Sequence, residues 1–131
     1  MPQPKSSRTP SSRARKPAAA GKPAAKRAAA EAAQADQARA AGDDRPLLGI
    51  PVAVKDNVPM EGHAASMGTG SPEPVAPRDA ELVRRLRAAG AVVVGATRLP
   101  ELALWPFTES ATFGATRNPW DTGRTPGGSS G

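Results

Sequence analysis

The sequence contains no cysteine and no tyrosine, and only two phenylalanines and two tryptophans occur among its 131 residues. Without cysteine, the chain forms neither disulfides nor thiolate metal sites. The small number of large aromatic side chains limits the apolar surface that a core of this size buries. These absences exclude a disulfide-rich scaffold and a cysteine-based metal module, and they predict a small core of aliphatic side chains.

The sequence also lacks any apolar run near the roughly 20 residues that span a bilayer. Its basic N-terminus has no apolar stretch of the kind found in secretory signals. We therefore expect a cytoplasmic protein that does not associate with membranes.

Acidic residues are absent from residues 1–27, which carry eight lysines and arginines. The whole chain has a net charge of +6, so residues 28–131 carry a net charge of −2. The first 27 residues are predicted to form a disordered basic tail, because they contain no large apolar side chain. Such a tail either makes weak, non-specific contact with nucleic acid or is a solvated extension without a partner.

Residues 28–131 are predicted to form an α/β domain. An alanine-rich surface helix is expected over 24–41. A buried strand is expected over 49–54, with Lys55 at its carboxyl end. An amphipathic helix over 79–90 and a buried strand over 91–95 follow. A strand, a helix and a second strand in this order predict a βαβ unit with a parallel pair of strands.

The amphipathic helix has a predicted cap, an apolar face and a stop signal. Asp79 is the expected N-cap and Gly90 the expected C-terminal glycine. Residues spaced three and four apart predict an apolar face made of Leu82, Val83, Leu86 and Ala89. On the solvent side we expect three arginines, Arg84, Arg85 and Arg87.

The only histidine, His63, lies in a loop that contains Gly62, Gly68 and Gly70. A metal site or a Ser-His pair needs further partners for this side chain, and the sequence pattern indicates none. We therefore expect an exposed histidine without a role, in a loop whose glycines approach other backbone segments. No metal and no organic cofactor is predicted.

Two motifs carry chemical information when they are combined with what lies between them. A strand ends in Val-Lys-Asp-Asn at residues 54–57, and the chain finishes with Pro-Gly-Gly-Ser-Ser-Gly at 126–131. Between them stand Gly-Ala-Val-Val-Val-Gly-Ala-Thr, Leu-Pro-Glu-Leu-Ala and Phe-Gly-Ala-Thr-Arg-Asn-Pro-Trp. This series, from about residue 30 to residue 131, resembles the amidase signature family of C–N hydrolases.

The resemblance implies a fold and a mechanism. The fold would be part of a mixed sheet flanked by helices, and the reaction would convert a small-molecule amide to an acid and ammonia without a cofactor. Lys55 would act as a buried base, and Ser129, at a cis peptide bond, would relay a proton between the lysine and a nucleophilic serine. No firm role is expected for Ser130.

The sequence departs from the family pattern in three places, one of which is the low-complexity tail that replaces the helical start common in the family. The nucleophilic serine expected in a later glycine-rich segment is absent from these residues, and Arg98 stands where the family usually has asparagine. We therefore expect this chain to be inactive on amides by itself. The alternatives are a part similar to the A subunit of a tRNA-dependent amidotransferase, or a non-catalytic relic whose basic tail binds nucleic acid.

Overall fold

The computed structural model of the chain describes residues 21–71 and 73–131. It contains two α-helices, one short 3₁₀ helix and two small sheets within these residues. In chain order the elements are α1 (Gly21–Ala40), β1 (Pro51–Lys55), α2 (Glu81–Ala88), β2 (Val92–Thr97), the 3₁₀ helix (Glu101–Ala103), β3 (Glu109–Ser110) and β4 (Gly114–Ala115). The mixed α/β class agrees with the prediction from sequence.

The first sheet is the predicted parallel pair. β1 pairs with β2 so that Pro51 lies opposite Val92 and Lys55 lies opposite Thr97. The register shifts between Val52 and Ala53, and Val94 is left without an opposite residue. Val94 is 47% exposed, so the expectation of a fully buried second strand is wrong at this position. A bulged residue leaves the alternating pattern of the strand, and its side chain turns away from the core.

Helix α2 covers one face of this sheet. Val83 is completely buried and forms the core with Val54, Met60 and Val93. Leu82 was predicted for the same face but is 58% exposed. Adjacent helical residues differ by about 100° around the helix axis, and here Val83 points at the sheet while Leu82 points to solvent.

The ends of α2 differ in how well they follow the prediction. Ala80 occupies the N-cap position without a side-chain hydrogen bond, so Asp79 is not the N-cap. The Asp79 carboxylate instead accepts hydrogen bonds from the Glu61 amide and the Arg87 guanidinium. At the C-terminus Gly90 has a φ of 97°, as predicted, and hydrogen bonds from residues 90 and 91 to the last turn close a Schellman motif.

Arg87 was expected on the solvent side of α2, but its side chain is only 20% exposed. It forms ion pairs with Glu31 of α1 at 2.5 Å and with Asp79 at 3.0 Å. Two acidic groups on neighbouring segments thus draw this arginine inward, while Arg84 and Arg85 stay exposed as predicted.

Helix α1 lies mainly on the surface, as its composition predicted, and contacts the rest of the molecule through alanine side chains and through Glu31 and Arg39. Ala35 is buried against Leu48 and Val92, and Arg39 Nη2 donates a hydrogen bond to the Leu48 carbonyl at 2.5 Å. The helix begins at Gly21, three residues before the predicted start at residue 24, so residues 21–27 of the basic segment are helical. Alanine, lysine and arginine have high helix propensity, which favours this earlier start. Residues 1–20 of the predicted tail lie outside the described residues.

No helix among the described residues is long and apolar enough to cross a membrane.

Candidate active site

Lys55 is the last residue of β1, and the sheet fixes its backbone at the carboxyl edge of the parallel pair. Its Cα is paired with Thr97, and the amide of the next residue, Asp56, donates a hydrogen bond to the Thr97 carbonyl at 3.0 Å. The side chain is partly buried. In open α/β sheets this edge is where ligands bind, which is the position predicted for the lysine from sequence.

Ser129 lies in the loop of residues 126–131, which runs close to the segment that contains Phe107 and Thr108. A Cβ atom at Gly128 would lie 2.7 Å from the Phe107 backbone, and one at Gly131 would overlap the Thr108 side chain. A side chain at either position would therefore force the loop or its neighbour to move. The Gly131 amide also donates a hydrogen bond to the Arg98 carbonyl at 3.0 Å. The peptide bond between Gly128 and Ser129 is cis.

The fold brings the two predicted site residues together, although they are 74 positions apart in the sequence. Lys55 Nζ donates a hydrogen bond to Ser129 Oγ at 2.5 Å. An amine and a hydroxyl in direct contact exchange a proton once the amine is neutral, which is the geometry of a serine with its base. Ser130 is exposed and does not join this pair.

A cavity of about 260 Å³ adjoins the serine loop. Phe107 and Thr108, which contact Gly128 and Gly131, also form part of its wall. The remaining lining residues come from the second sheet and the turns around it: Glu109, Ala115, Thr116, Arg117 and Thr125. Neither Lys55 nor Ser129 is among the lining residues, so the cavity lies beside the serine loop and does not enclose the candidate site.

The expectation that His63 is exposed is wrong. Its Nε2 lies 2.6 Å from Asp56 Oδ1, and the His63 side chain is 29% exposed. The second oxygen of Asp56 accepts a hydrogen bond from Ser66 Oγ at 2.5 Å. This network next to Lys55 was missed because loop residues at these spacings have no periodic pattern. Only the folded loop shows that they converge on one carboxylate.

Arg98, the residue that departs from the family pattern, follows β2 at the same sheet edge. Its guanidinium carbon lies 4.5 Å from the centre of the Phe113 ring, a cation–π geometry. Within residues 21–71 and 73–131, no group of three or more histidine, cysteine, aspartate or glutamate side chains is placed to hold a metal ion. The functional groups described at this edge are an amine, hydroxyls, a carboxylate, an imidazole and a guanidinium.

Comparisons of this chain with a family model, with known sequences and with solved structures agree with one another. The family model described as Amidase matches residues 13–131. AmiB2, an amidase-family protein of Mycobacterium tuberculosis, is 59% identical over 91 residues, which are 70% of this chain and 20% of the relative. The A subunit of the glutamyl-tRNA(Gln) amidotransferase of Methanococcoides burtonii is 45% identical over 97 residues, covering 73% of this chain and 20% of that protein.

Among solved structures, the peptide amidase of Stenotrophomonas maltophilia is similar to 78% of this chain, with a TM-score of 0.67 and 44% sequence identity. The match covers 22% of the peptide amidase chain. The present chain therefore spans about a fifth of the length of the relatives that it matches.

Proposed function

Since the chain belongs to the amidase family, we propose that a protein containing it hydrolyses a carboxylic amide to an acid and ammonia. The observation that carries this proposal is the hydrogen bond between Lys55 Nζ and Ser129 Oγ. We assign Lys55 the role of base and Ser129 the role of proton relay. Neither role requires a metal or an organic cofactor.

The proposed reaction begins with a neutral Lys55 amine. Ser129 passes a proton to this amine while its own hydroxyl accepts a proton from the attacking serine. The attacking oxygen then bonds to the amide carbon, and the nitrogen leaves as ammonia after it receives the proton back. Water hydrolyses the resulting ester by the same relay in reverse.

The attacking serine implied by the family resemblance is not among these 131 residues. We therefore propose that the 131-residue polypeptide does not hydrolyse amides by itself, because the base and the relay have no nucleophile to activate. Ammonia release by the purified chain from simple amides, abolished by Lys55→Ala, would contradict this.

The activity is testable in a chimera in which residues 41–131 replace the matching part of AmiB2. We expect ammonia release from simple amides, and a decrease in kcat of about 10²- to 10⁴-fold in Lys55→Ala and in Ser129→Ala, the usual contribution of acid–base catalysis. Ser130→Ala is the matched control, because Ser130 is exposed and adjacent. Undiminished hydrolysis by the Lys55→Ala chimera would refute the assigned role.

A second candidate is a part of an amidotransferase A subunit that releases ammonia from glutamine. The 45% identity to the Methanococcoides burtonii protein favours it, although AmiB2 is more similar at 59%. A glutamine preference over other amides in a chimera with the Methanococcoides burtonii protein, but not in the AmiB2 chimera, would indicate that the rest of the protein determines the substrate.

For the basic segment 1–27 we propose weak, non-specific contact with nucleic acid, which its eight positive charges favour. Affinity for duplex DNA should fall steeply with salt and disappear when these residues are deleted. Negligible binding at low salt would leave the segment a solvated extension.

A further inference from the structure

The Asp56 carboxylate binds one loop of the chain at two points. His63 Nε2 lies 2.6 Å from Oδ1, while Ser66 donates to Oδ2 from its hydroxyl at 2.5 Å and from its amide at 3.3 Å. The Asp56 carboxylate is largely shielded from solvent, with 15% of the side chain exposed. Shielding strengthens these contacts and makes their loss costly, because a carboxylate without partners is poorly solvated there.

The same loop, residues 63–68, is attached on its other side to the segment that follows β2. The Leu102 amide donates a hydrogen bond to the Met67 carbonyl at 2.8 Å. A Cβ atom at Gly68 would lie 2.5 Å from the Pro100 carbonyl oxygen, so the two backbones are in close contact. The loop thus lies between Asp56 and residues 99–102.

Residues 103–106 connect this segment to Phe107, whose backbone contacts Gly128 beside Ser129. Asp56 is itself the neighbour of Lys55 in the chain. Contacts therefore link the residue after Lys55 to loop 63–68 and that loop to residues 99–102, and the chain itself then connects residues 99–102 to the backbone that supports Ser129.

We propose that Asp56 is a positioning residue whose carboxylate sets the separation of Lys55 Nζ and Ser129 Oγ. It does so by holding loop 63–68 in place between Asp56 and residues 99–102. The consequence for catalysis rests on the proposed function, while the geometric claim does not. The two carboxylate oxygens bind His63 and Ser66 at the same time. Asparagine retains one acceptor and adds a donor suited to a neutral imidazole, whereas alanine provides neither.

The geometric claim is tested in the 131-residue chain by measuring the NMR cross-relaxation between the Lys55 and Ser129 side-chain protons. We expect its intensity to fall at least about fivefold in Asp56→Ala and to be largely retained in Asp56→Asn. Asp44→Ala is the matched control, because Asp44 is exposed on the surface. An unchanged signal in Asp56→Ala, or an equal loss in Asp56→Asn, would overturn the proposal.

If Asp56→Ala fails to fold, as judged by loss of the cross-strand signals between β1 and β2, Ser66→Ala takes its place. This variant removes one hydroxyl donor to Asp56, and a several-fold weaker signal between Lys55 and Ser129 is expected. A signal equal to that of the unmodified chain would count against the proposal.

In the AmiB2 chimera, Asp56→Ala should lower kcat at least about tenfold with little change in KM, and Asp56→Asn should restore most of it. A change in KM alone would contradict a positioning role. If the unmodified chimera is inactive, the proposed function fails, but the NMR result still decides the geometric claim.

Discussion

The βαβ region, residues 51–97, and the C-terminal region, residues 98–131, are held together by different interactions. In the βαβ region, aliphatic side chains such as Val54, Val83 and Val93 are buried between a helix and a sheet. In the C-terminal region the largest apolar side chains face solvent, with Trp105 56% and Trp120 95% exposed. The second sheet there consists of two strands of two residues each.

Apart from the buried Leu99 and Pro100, order in the C-terminal region comes from close backbone contacts and from hydrogen bonds. The serine loop lies against Phe107 and Thr108, and the Thr108 hydroxyl donates to the Gly127 carbonyl at 3.2 Å. Such interactions contribute less stability than a buried core, because each replaces a hydrogen bond to water. The candidate site therefore joins a lysine from the better packed region to a serine from the less packed one. We infer that Ser129 is the more easily displaced partner.

The largest expected effect concerns the core of the βαβ region. Val83→Ala should lower the free energy of unfolding by about 2 kcal/mol, because it removes two methyl groups from a fully buried position. Urea denaturation followed by circular dichroism measures this change. Leu82→Ala, one residue away and 58% exposed, is the control and should change the free energy by less than about 0.5 kcal/mol. Equal effects would contradict the assignment of the core face.

A smaller and more local effect is expected in the C-terminal region. Gly131→Ala places a methyl group on the Thr108 side chain, so the loop must move, at a cost of about 1–2 kcal/mol. Hydrogen exchange should accelerate at the amide of residue 131, which bonds to Arg98, and remain unchanged at β1 and β2.

Gly95→Ala provides the comparison for that substitution, since a Cβ at Gly95 meets no atom within 4 Å. Its exchange pattern should match that of the unmodified chain. Faster exchange throughout the βαβ region in Gly131→Ala would show that the two regions unfold as one unit.

The smallest effect concerns the exposed ion pairs of α2. Hydrogen bonds from Arg84 and Arg85 lower the pKa of Glu81 from 4.5 to about 2. A lowered pKa in the folded state contributes stability that is present above the unfolded value and is lost as the pH falls from about 4.5 towards 2. The contribution is small because the pairs are exposed and screened by water.

Comparison of Glu81→Gln with the unmodified chain between pH 5 and pH 2 tests this dependence. The difference in stability between the two proteins should shrink as the pH falls. A difference that grows below pH 4 would contradict the assigned ion pairs.

Local patterns in the sequence determined the elements of the βαβ region. The spacing of apolar residues located α2, Gly90 marked its end, and a run of valines located β2, because each of these signals reflects interactions between near neighbours in the chain. Details that depend on partners elsewhere were not predictable. Leu82 is exposed, Arg87 is turned inward by Glu31 and Asp79, and Val94 is bulged.

For the candidate site, the sequence by itself determined which residue types are available and, through the family motifs, that Lys55 and Ser129 belong together. Only the tertiary structure decided their contact at 2.5 Å across 74 positions, and only it joined His63 and Ser66 to Asp56. The physical reason is the distance along the chain over which each kind of interaction acts. Helix and strand signals act over a few residues, whereas a side chain's distant partners are set by how the sheet, loops and close glycine contacts pack together.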